Sequence, residues 1–431
     1  MNRFVMAAAL AACTGTAMAT PDIICGAMPD VQNHGLIGGI RAYSVGTTAC
    51  NIGDTPAEWI DGTPNHPVIA VTIWKYDNET ERLTQLGVTQ VKHSFASLQG
   101  SVCQPCQPGG DFSHLGPGCS DPYGAGLNGS QADLGPRTEV NGFNGQFVYP
   151  YTGINQGGNA IFKRIQVKQS DIADSTATFY VEGVYVHKQD FEAGTNMNNA
   201  TYRQFNINQS TFNAGTNGTT HREVPAIYAW QAQDAGVVIT EQEYPGEGRI
   251  IVASKATDLG GGTWRYDYGV YNQNSDLGVS SFSVPVSTAT ANFGFNDVDY
   301  HSTVDSGVNP ADWAPVEGAS GVTWNSESEA QNSMGNAIRW GTMYNYWFET
   351  NSPPVSGTTS VGSFKGAHAL DFASLVPTAN DICDADLNDD GALDFFDISF
   401  FLSNTIDYDE NTVFDFFDIS AFLTDFSAGC P

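Results

Sequence analysis

Between residues 20 and 375 the apolar positions alternate with a period of two, and almost nowhere with a helical period. The clearest run is 177–187. Phe179, Val181, Gly183, Tyr185 and His187 share one face, and Tyr180 and Val184 lie on the other. Residues 68–76, 160–167 and 201–207 read as further strands, separated by turn clusters of Gly, Asn, Pro and Ser. From 236 to 366 the pattern is more regular. It marks strands at 237–240, 249–254, 263–271, 280–286, 291–295, 322–324, 338–348 and 360–364. Trp264, Tyr266, Tyr268 and Val270 share one face, and Ile338, Trp340, Tyr344, Tyr346 and Phe348 share another. These patterns predict a mainly β protein, with a loop-rich β-domain over 20–225 and an immunoglobulin-like β-sandwich over 226–366. Residues 367–380 read as a linker.

The last fifty residues change period. Ile398, Phe401 and Leu402 recur at i, i+3, i+4, as do Ile419, Phe422 and Leu423, so each set predicts a short amphipathic helix. Phe395-Phe396-Asp397-Ile398-Ser399 returns 21 residues later as Phe416-Phe417-Asp418-Ile419-Ser420. Ahead of each helix stands a twelve-residue loop. In the first, Asp386, Asn388, Asp390, Asp394 and Asp397 occupy positions 1, 3, 5, 9 and 12, and the Ala392 carbonyl falls at position 7. In the second, Asp407, Asp409, Asn411, Asp415 and Asp418 take the same places, with Val413 at position 7. Calcium is a hard cation that takes six to eight oxygens, and this spacing wraps them round one ion. Gly391 at position 6 permits the sharp turn, whereas Thr412 replaces it in the second loop and makes that the weaker site. Cys383 and Cys430 bracket the module, and a disulfide between them would staple its small core.

A tandem loop–helix pair closing on Asp, where an EF-hand closes on Glu, resembles a dockerin type I module. It is most similar to the dockerin-like C-terminal modules of secreted proteins from planctomycete-type bacteria, which end in a similar Gly429-Cys430-Pro431. The likeness covers about residues 381–431 and predicts a small all-α calcium-binding module. It implies docking to a partner protein, cohesin-like or another surface receptor. One departure stands out. The small polar pair that cohesins read is replaced by Phe395-Phe396 and Phe416-Phe417. These residues either form a hydrophobic contact surface for a receptor or fill the module's own core. Lys92-His93-Ser94-Phe95, Leu134-Gly135-Pro136-Arg137 and Arg339-Trp340-Gly341 resemble segments of secreted β-proteins from the same bacteria, a likeness that brings architecture and no activity.

Residues 1–19 read as a secretory signal: Asn2-Arg3, an apolar run, and Ala17-Met18-Ala19 as a cleavage pattern before Thr20. Leu10-Ala11-Ala12-Cys13 also fits a lipoprotein box. No later stretch is apolar enough to predict a membrane span. The 431-residue chain carries a formal net charge of −30, and the C-terminal module holds 13 acidic residues with no Lys, Arg or His. Such a chain is repelled by nucleic acid and by anionic lipid. Export favours disulfides. Cys25–Cys50 is the expected pair, which leaves Cys103, Cys106 and Cys119 with one odd thiol.

Three further constellations are candidates for chemistry. His93, Cys103, Cys106, His114 and Cys119 could hold zinc, against the competing reading of disulfides in a Gly-Pro loop. Asp297, Asp299 and His301 would share one face of an extended segment and could bind a metal or polar ligand, or serve as an ordinary strand-end turn. Ser120, Asp121, Tyr123, Asn128 and Arg137 line a long polar loop that no Gly-x-Ser-x-Gly elbow accompanies. Trp230, Trp264, Trp313, Trp324 and Trp347 could stack on sugar rings or sit in the core. The expected protein is an exported surface or matrix component that binds calcium and a partner through its tail. Its body recognises a polysaccharide or a protein. The alternatives are a dockerin-borne glycoside hydrolase and a structural adhesin or surface-layer unit.

Overall fold

The computed structural model describes residues 19–93, 96–298, 308–318, 320–378, 385–388, 392–408 and 412–428. The chain is mainly β, and among the described residues the two longest helices lie in the C-terminal module. In the first half, strand Thr178–Val186 is the organiser. It pairs antiparallel with Val68–Asp77 on one side and with Ala200–Ile207 on the other. Both of its faces are covered, as the alternation requires. Phe179, Val181 and Tyr185 enter a core shared with Ile23, Tyr43, Trp59 and Ile73. Tyr180 faces the opposite way and joins a second core. The run expected over 160–167 is a strand only from Ile165 to Lys168. Residues 161–164 form turns, in which Lys163 adopts a left-handed φ of 62° and its ammonium caps the carbonyls of Gln131 and Gly153.

The second half is a β-sandwich of two five-stranded antiparallel sheets. One runs Val238–Tyr244, Gly248–Gly260, Thr263–Asn272, Thr342–Thr350, Thr290–Asn296. The other runs Pro315–Gly318, Gly321–Asn325, Val279–Val284, Pro354–Ser363, Ala369–Pro377. Most of the expected aromatic faces meet inside: Tyr266 and Tyr268 pack with Tyr344, Tyr346 and Phe348 against Phe282, Trp324 and Phe372 of the facing sheet, whereas the strand begins only at Thr342 and Trp340 packs instead with Val68, Val140 and Val186. The outer face of the first sheet is also buried. Ile251, Tyr271 and Met343 pack with Trp74, Leu83, Tyr180 and Trp230. The two halves therefore share a core, in which the sheet of Thr178–Val186 stacks on the outer face of the sandwich. Polar groups lock this junction. Gln85 donates to the Gly341 carbonyl at 3.0 Å and accepts from Met343 N–H at 2.8 Å, while Arg82 pairs with the buried Asp267.

Two expectations are corrected. Most of the span expected as a linker over 367–380 is sheet instead, because Ala369–Pro377 is a strand paired with Pro354–Ser363 from Pro354↔Pro377 to Gly362↔Ala369. Its inward positions are Phe372, Ser374 and Val376. The Ser374 hydroxyl meets Thr359 Oγ1 at 2.8 Å, so a hydroxyl pair is satisfied inside the sheet, where the sequence looked merely polar.

The second correction concerns Cys25–Cys50. Cys25 lies opposite Ala49 in the ladder between Ile23–Ala27 and Thr47–Asn51, so Cys50 projects to the other face of the pleat. Cys50 instead bonds Cys103, Cys106 bonds Cys119, and Cys25 is a buried free thiol. Burial pushes that thiol up to about 12, so it stays protonated. Gly26 follows from the same geometry. A Cβ there would lie 2.3 Å from both sulfurs of the Cys50–Cys103 bond.

Candidate functional site

In the C-terminal module the two loop–helix units are built alike. Helix Phe395–Asn404 begins at Asp394, whose side chain accepts from Phe396 N–H at 2.7 Å. Asp397 reaches back, accepting from Asp394 N–H at 2.9 Å and from Asn388 N–H at 3.3 Å. This is a capping box, which fixes the direction of the first turn. Helix Phe416–Ala428 repeats it. Asp415 accepts from Phe417 N–H at 2.7 Å, and Asp418 accepts from Asp415 N–H at 2.6 Å and Tyr408 N–H at 2.7 Å. Equivalent residues of the repeat also meet: Phe401 and Phe422 stack with ring centres 4.4 Å apart and planes within 8°. Ala385, Leu387, Leu393, Ile398, Ile406, Tyr408, Ile419 and Phe426 complete this core.

Asp397 and Asp418, the two position-12 carboxylates, are fully buried. The module has no Lys, Arg or His with which to neutralise them. Burying a carboxylate is costly unless hydrogen bonds and an opposite charge compensate. The backbone bonds supply the first, and an all-oxygen donor set suits a hard cation for the second. The expected donors fit calcium in chemistry: side-chain oxygens of Asp386, Asn388, Asp394, Asp397, Asp407, Asp415 and Asp418, with carbonyls of Ala392 and Val413. Asp390, Asp409 and Asn411 lie outside the described residues, as do Cys383 and Cys430. Among the described residues no group of three or more His, Cys, Asp or Glu side chains has converged as a metal cluster. Thr412, at position 6 of the second loop, has a φ of 77°, and its N–H donates to Asp407 Oδ2 at 2.6 Å. The loop thus adopts the glycine-type turn with a β-branched residue in it.

The phenylalanine pairs do not fill the module's core. Phe395, Phe396, Phe416 and Phe417 are 72, 65, 74 and 66 % exposed. Each pair sits at the start of its helix, immediately ahead of the buried position-12 Asp, so loop geometry and ring position are coupled.

The other candidates separate. Cys103, Cys106 and Cys119 are consumed by disulfides, so no thiolate remains for zinc beside His93 or His114. His114 pairs with Asp111 at 2.9 Å. His93 instead meets His66, a residue that sequence spacing did not flag, with 3.1 Å between Nδ1 and Nε2. Both rings are buried among Phe147, Tyr149 and Tyr151, and desolvation lowers both well below the ordinary histidine range. Ser120 Oγ accepts from Val102 N–H at 3.1 Å and serves the disulfide loop. Asp121 accepts from Leu98 N–H, and burial raises its carboxyl to about 6. Asn128 and Arg137 spend donors on buried carbonyls of Val45 and Thr89. Asp297 Oδ2 accepts from Asn336 Nδ2 at 2.6 Å, whereas Asp299 and His301 lie outside the described residues. Trp230, Trp313 and Trp324 are core residues, and Trp347 lies under Arg82, 3.7 Å from guanidinium carbon to ring centre. Trp264 is half-buried against the sandwich core.

No protein-family model matches the chain, and no curated protein matches it. Among solved structures it is similar to Amycolatopsis orientalis exo-chitosanase CsxA, as a complex with PNP-beta-D-glucosamine, at 8% identity and a TM-score of 0.16 over 75% of this chain and 25% of that one. Two more structures of CsxA, one with a castanospermine and an amino-australine analogue, match at 8% identity with TM-scores of 0.15, again over 25% of their length. The chain therefore spans about a quarter of these structures, and a likeness of this strength carries no argument about fold or activity.

No helix of the described residues is long and apolar enough to cross a membrane.

Proposed function

We propose that this chain is an exported modular protein whose C-terminal module, dockerin-like in its residues, binds two calcium ions and docks to a partner protein. The β-rich body is the part so attached, and it recognises a polymer or a protein. The observation that supports this most is the exposure of all four repeat phenylalanines on a module whose core is already complete. Apolar rings held at fixed places on a small acidic unit are an unmet contact surface. Buried aromatic anchors also carry most of the energy in protein interfaces. Calcium ordering of each loop sets the start of its helix, and so aims each ring pair.

The test uses the full chain and a cell-surface extract of the producing organism. The chain is expected to retain one saturable partner in calcium and release it in chelator. The variant with Phe395, Phe396, Phe416 and Phe417 all changed to Ala keeps its calcium and loses the partner. Retention that persists in chelator, or that survives loss of the four rings, contradicts the proposal.

A further inference from the structure

A basic cavity lies where the two halves of the body meet. Arg137 and Val140 bring the first half to it, and the sandwich closes it with Asp276, Arg339, Trp340, Phe364 and Lys365. The Trp340 indole N–H donates to the Arg137 and Val140 carbonyls at 3.2 and 2.9 Å, which pins the two sides together. The whole chain carries 17 Lys and Arg against 47 Asp and Glu. Here the balance is reversed, with Arg137, Arg339 and Lys365 facing the carboxylate of Asp276. Lys365 and Asp276 pair at 2.8 Å with side chains 32 % exposed, so they mark the mouth. Arg137 is buried behind them, and its guanidinium bonds the carbonyls of Thr89, Val71 and Trp340, which are neutral acceptors. Arg339 donates from Nη2 to the Ser333 and Gly335 carbonyls at 3.1 and 3.3 Å. Its Nε is buried with no hydrogen-bond partner among the described residues. A buried donor left unmet is costly.

We propose that this cavity binds one small monovalent anion, a halide or the carboxylate group of a small acid, between Arg339 and Lys365. Size sets the class of ligand. The cavity holds about 30 Å³, room for about two waters and far below the ~300 Å³ at which pockets begin to enclose drug-sized ligands. A sugar ring or a nucleotide is too large for it, whereas chloride or a carboxylate group fits. Charge sets the sign. Water would fill the space but would leave the excess positive charge unanswered. Lys365 gives one of its three donors to Asp276, and Arg339 Nε has none of its bonding met. Trp340 and Phe364 form apolar walls, with the Phe364 ring centre 5.0 Å from the Arg339 guanidinium carbon. Such walls weaken screening and strengthen the attraction for an anion. An ion held here touches both halves of the body, so it braces the junction that Trp340 pins.

The probe is sodium chloride, read through the chlorine NMR line width in the presence of the full chain. A chain of net charge −30 repels anions elsewhere on its surface, so the background is low. The native chain is expected to broaden the chloride line saturably, and sodium acetate at fixed ionic strength is expected to reverse the broadening. Arg339→Gln should weaken chloride about ten-fold. Asp276→Asn removes the carboxylate that competes for Lys365, and should tighten chloride several-fold. Arg249→Gln, at an arginine paired with Glu241 and Glu243, should change nothing. Circular dichroism checks that each variant is folded. No saturable broadening, or equal broadening in a folded Arg339→Gln chain, overturns the site. Broadening that acetate does not reverse overturns the carboxylate half of the assignment. If Arg339→Gln fails to fold, Asp276→Asn decides, and a chloride affinity that it leaves unmoved overturns the proposal.

Discussion

Thr412 is where the two halves of the repeat differ most in physical terms. At φ 77° it occupies the left-handed region, which costs a residue bearing a Cβ about 1–2 kcal/mol. Glycine pays no such penalty, although it loses about 0.5–1 kcal/mol more chain entropy on ordering. The Thr412 side chain is exposed, so its removal forfeits no packing, and the bond from residue 412 N–H to Asp407 Oδ2 comes from the backbone and survives. The net expectation for Thr412→Gly is a gain of about 1 kcal/mol in ordering the second loop, which corresponds to about five-fold tighter calcium there. The assay is calorimetric titration of the chelator-stripped full chain, resolving two sites. The weaker site should move toward the stronger one while the stronger stays put. An unchanged or weakened second site would refute the reasoning, because it would mean that the left-handed turn is not part of the ion-bound loop. Gly391→Thr, at the equivalent place of the repeat, should shift the first site the other way.

The remaining predictions concern the body. Glu182 is buried between the two halves, accepting from Ala226 N–H at 2.6 Å and from the Tyr271 hydroxyl at 2.9 Å, and desolvation raises it to about 7. Folded protein therefore keeps its proton between about pH 4.5 and 7, where unfolded chain has released it, so this group's contribution to stability falls across that window and is flat above it. Glu182→Gln should flatten a decline of about 3 kcal/mol in the unfolding free energy measured by chemical denaturation between pH 5 and 8, and an unchanged slope would contradict the assignment. Gly26→Ala places a Cβ against both sulfurs of the Cys50–Cys103 bond, and it is expected to cost about 1–3 kcal/mol or leave two titratable thiols at those positions.

What could be read in advance was what is local. The two twelve-residue loops proposed to take calcium stand out because their oxygen-bearing residues recur at set positions within twelve residues, and the same spacing placed position 6 at Thr412, where φ is positive. The strand over Thr178–Val186 was legible because both of its faces are apolar and its flanks turn. Ala369–Pro377 was not, because Ser374 and Thr359 satisfy each other inside the sheet, and no window of one strand shows that pairing. Cysteine connectivity was hidden for a similar reason. Cys25 and Cys50 are suitably spaced in the chain, but a one-residue offset in register turns them to opposite faces. His66 and His93 meet only because their strand and loop are brought together by the fold, and spacing alone carries no sign of it. The exposure of the four phenylalanines was open at the sequence level, because a small module can use aromatic pairs inside or outside. The stack of Phe401 on Phe422 fills the centre and leaves the pairs outside.

Native mass spectrometry of the chelator-stripped full chain, titrated with calcium while helical circular dichroism is followed, tests the central claim most directly. Two ions per chain are expected, bound in two steps. Asp397→Ala should remove the tighter one and Asp418→Ala the weaker, each with loss of helical signal. A chain that takes up no calcium at millimolar concentration, or whose uptake is indifferent to both substitutions, would contradict the account.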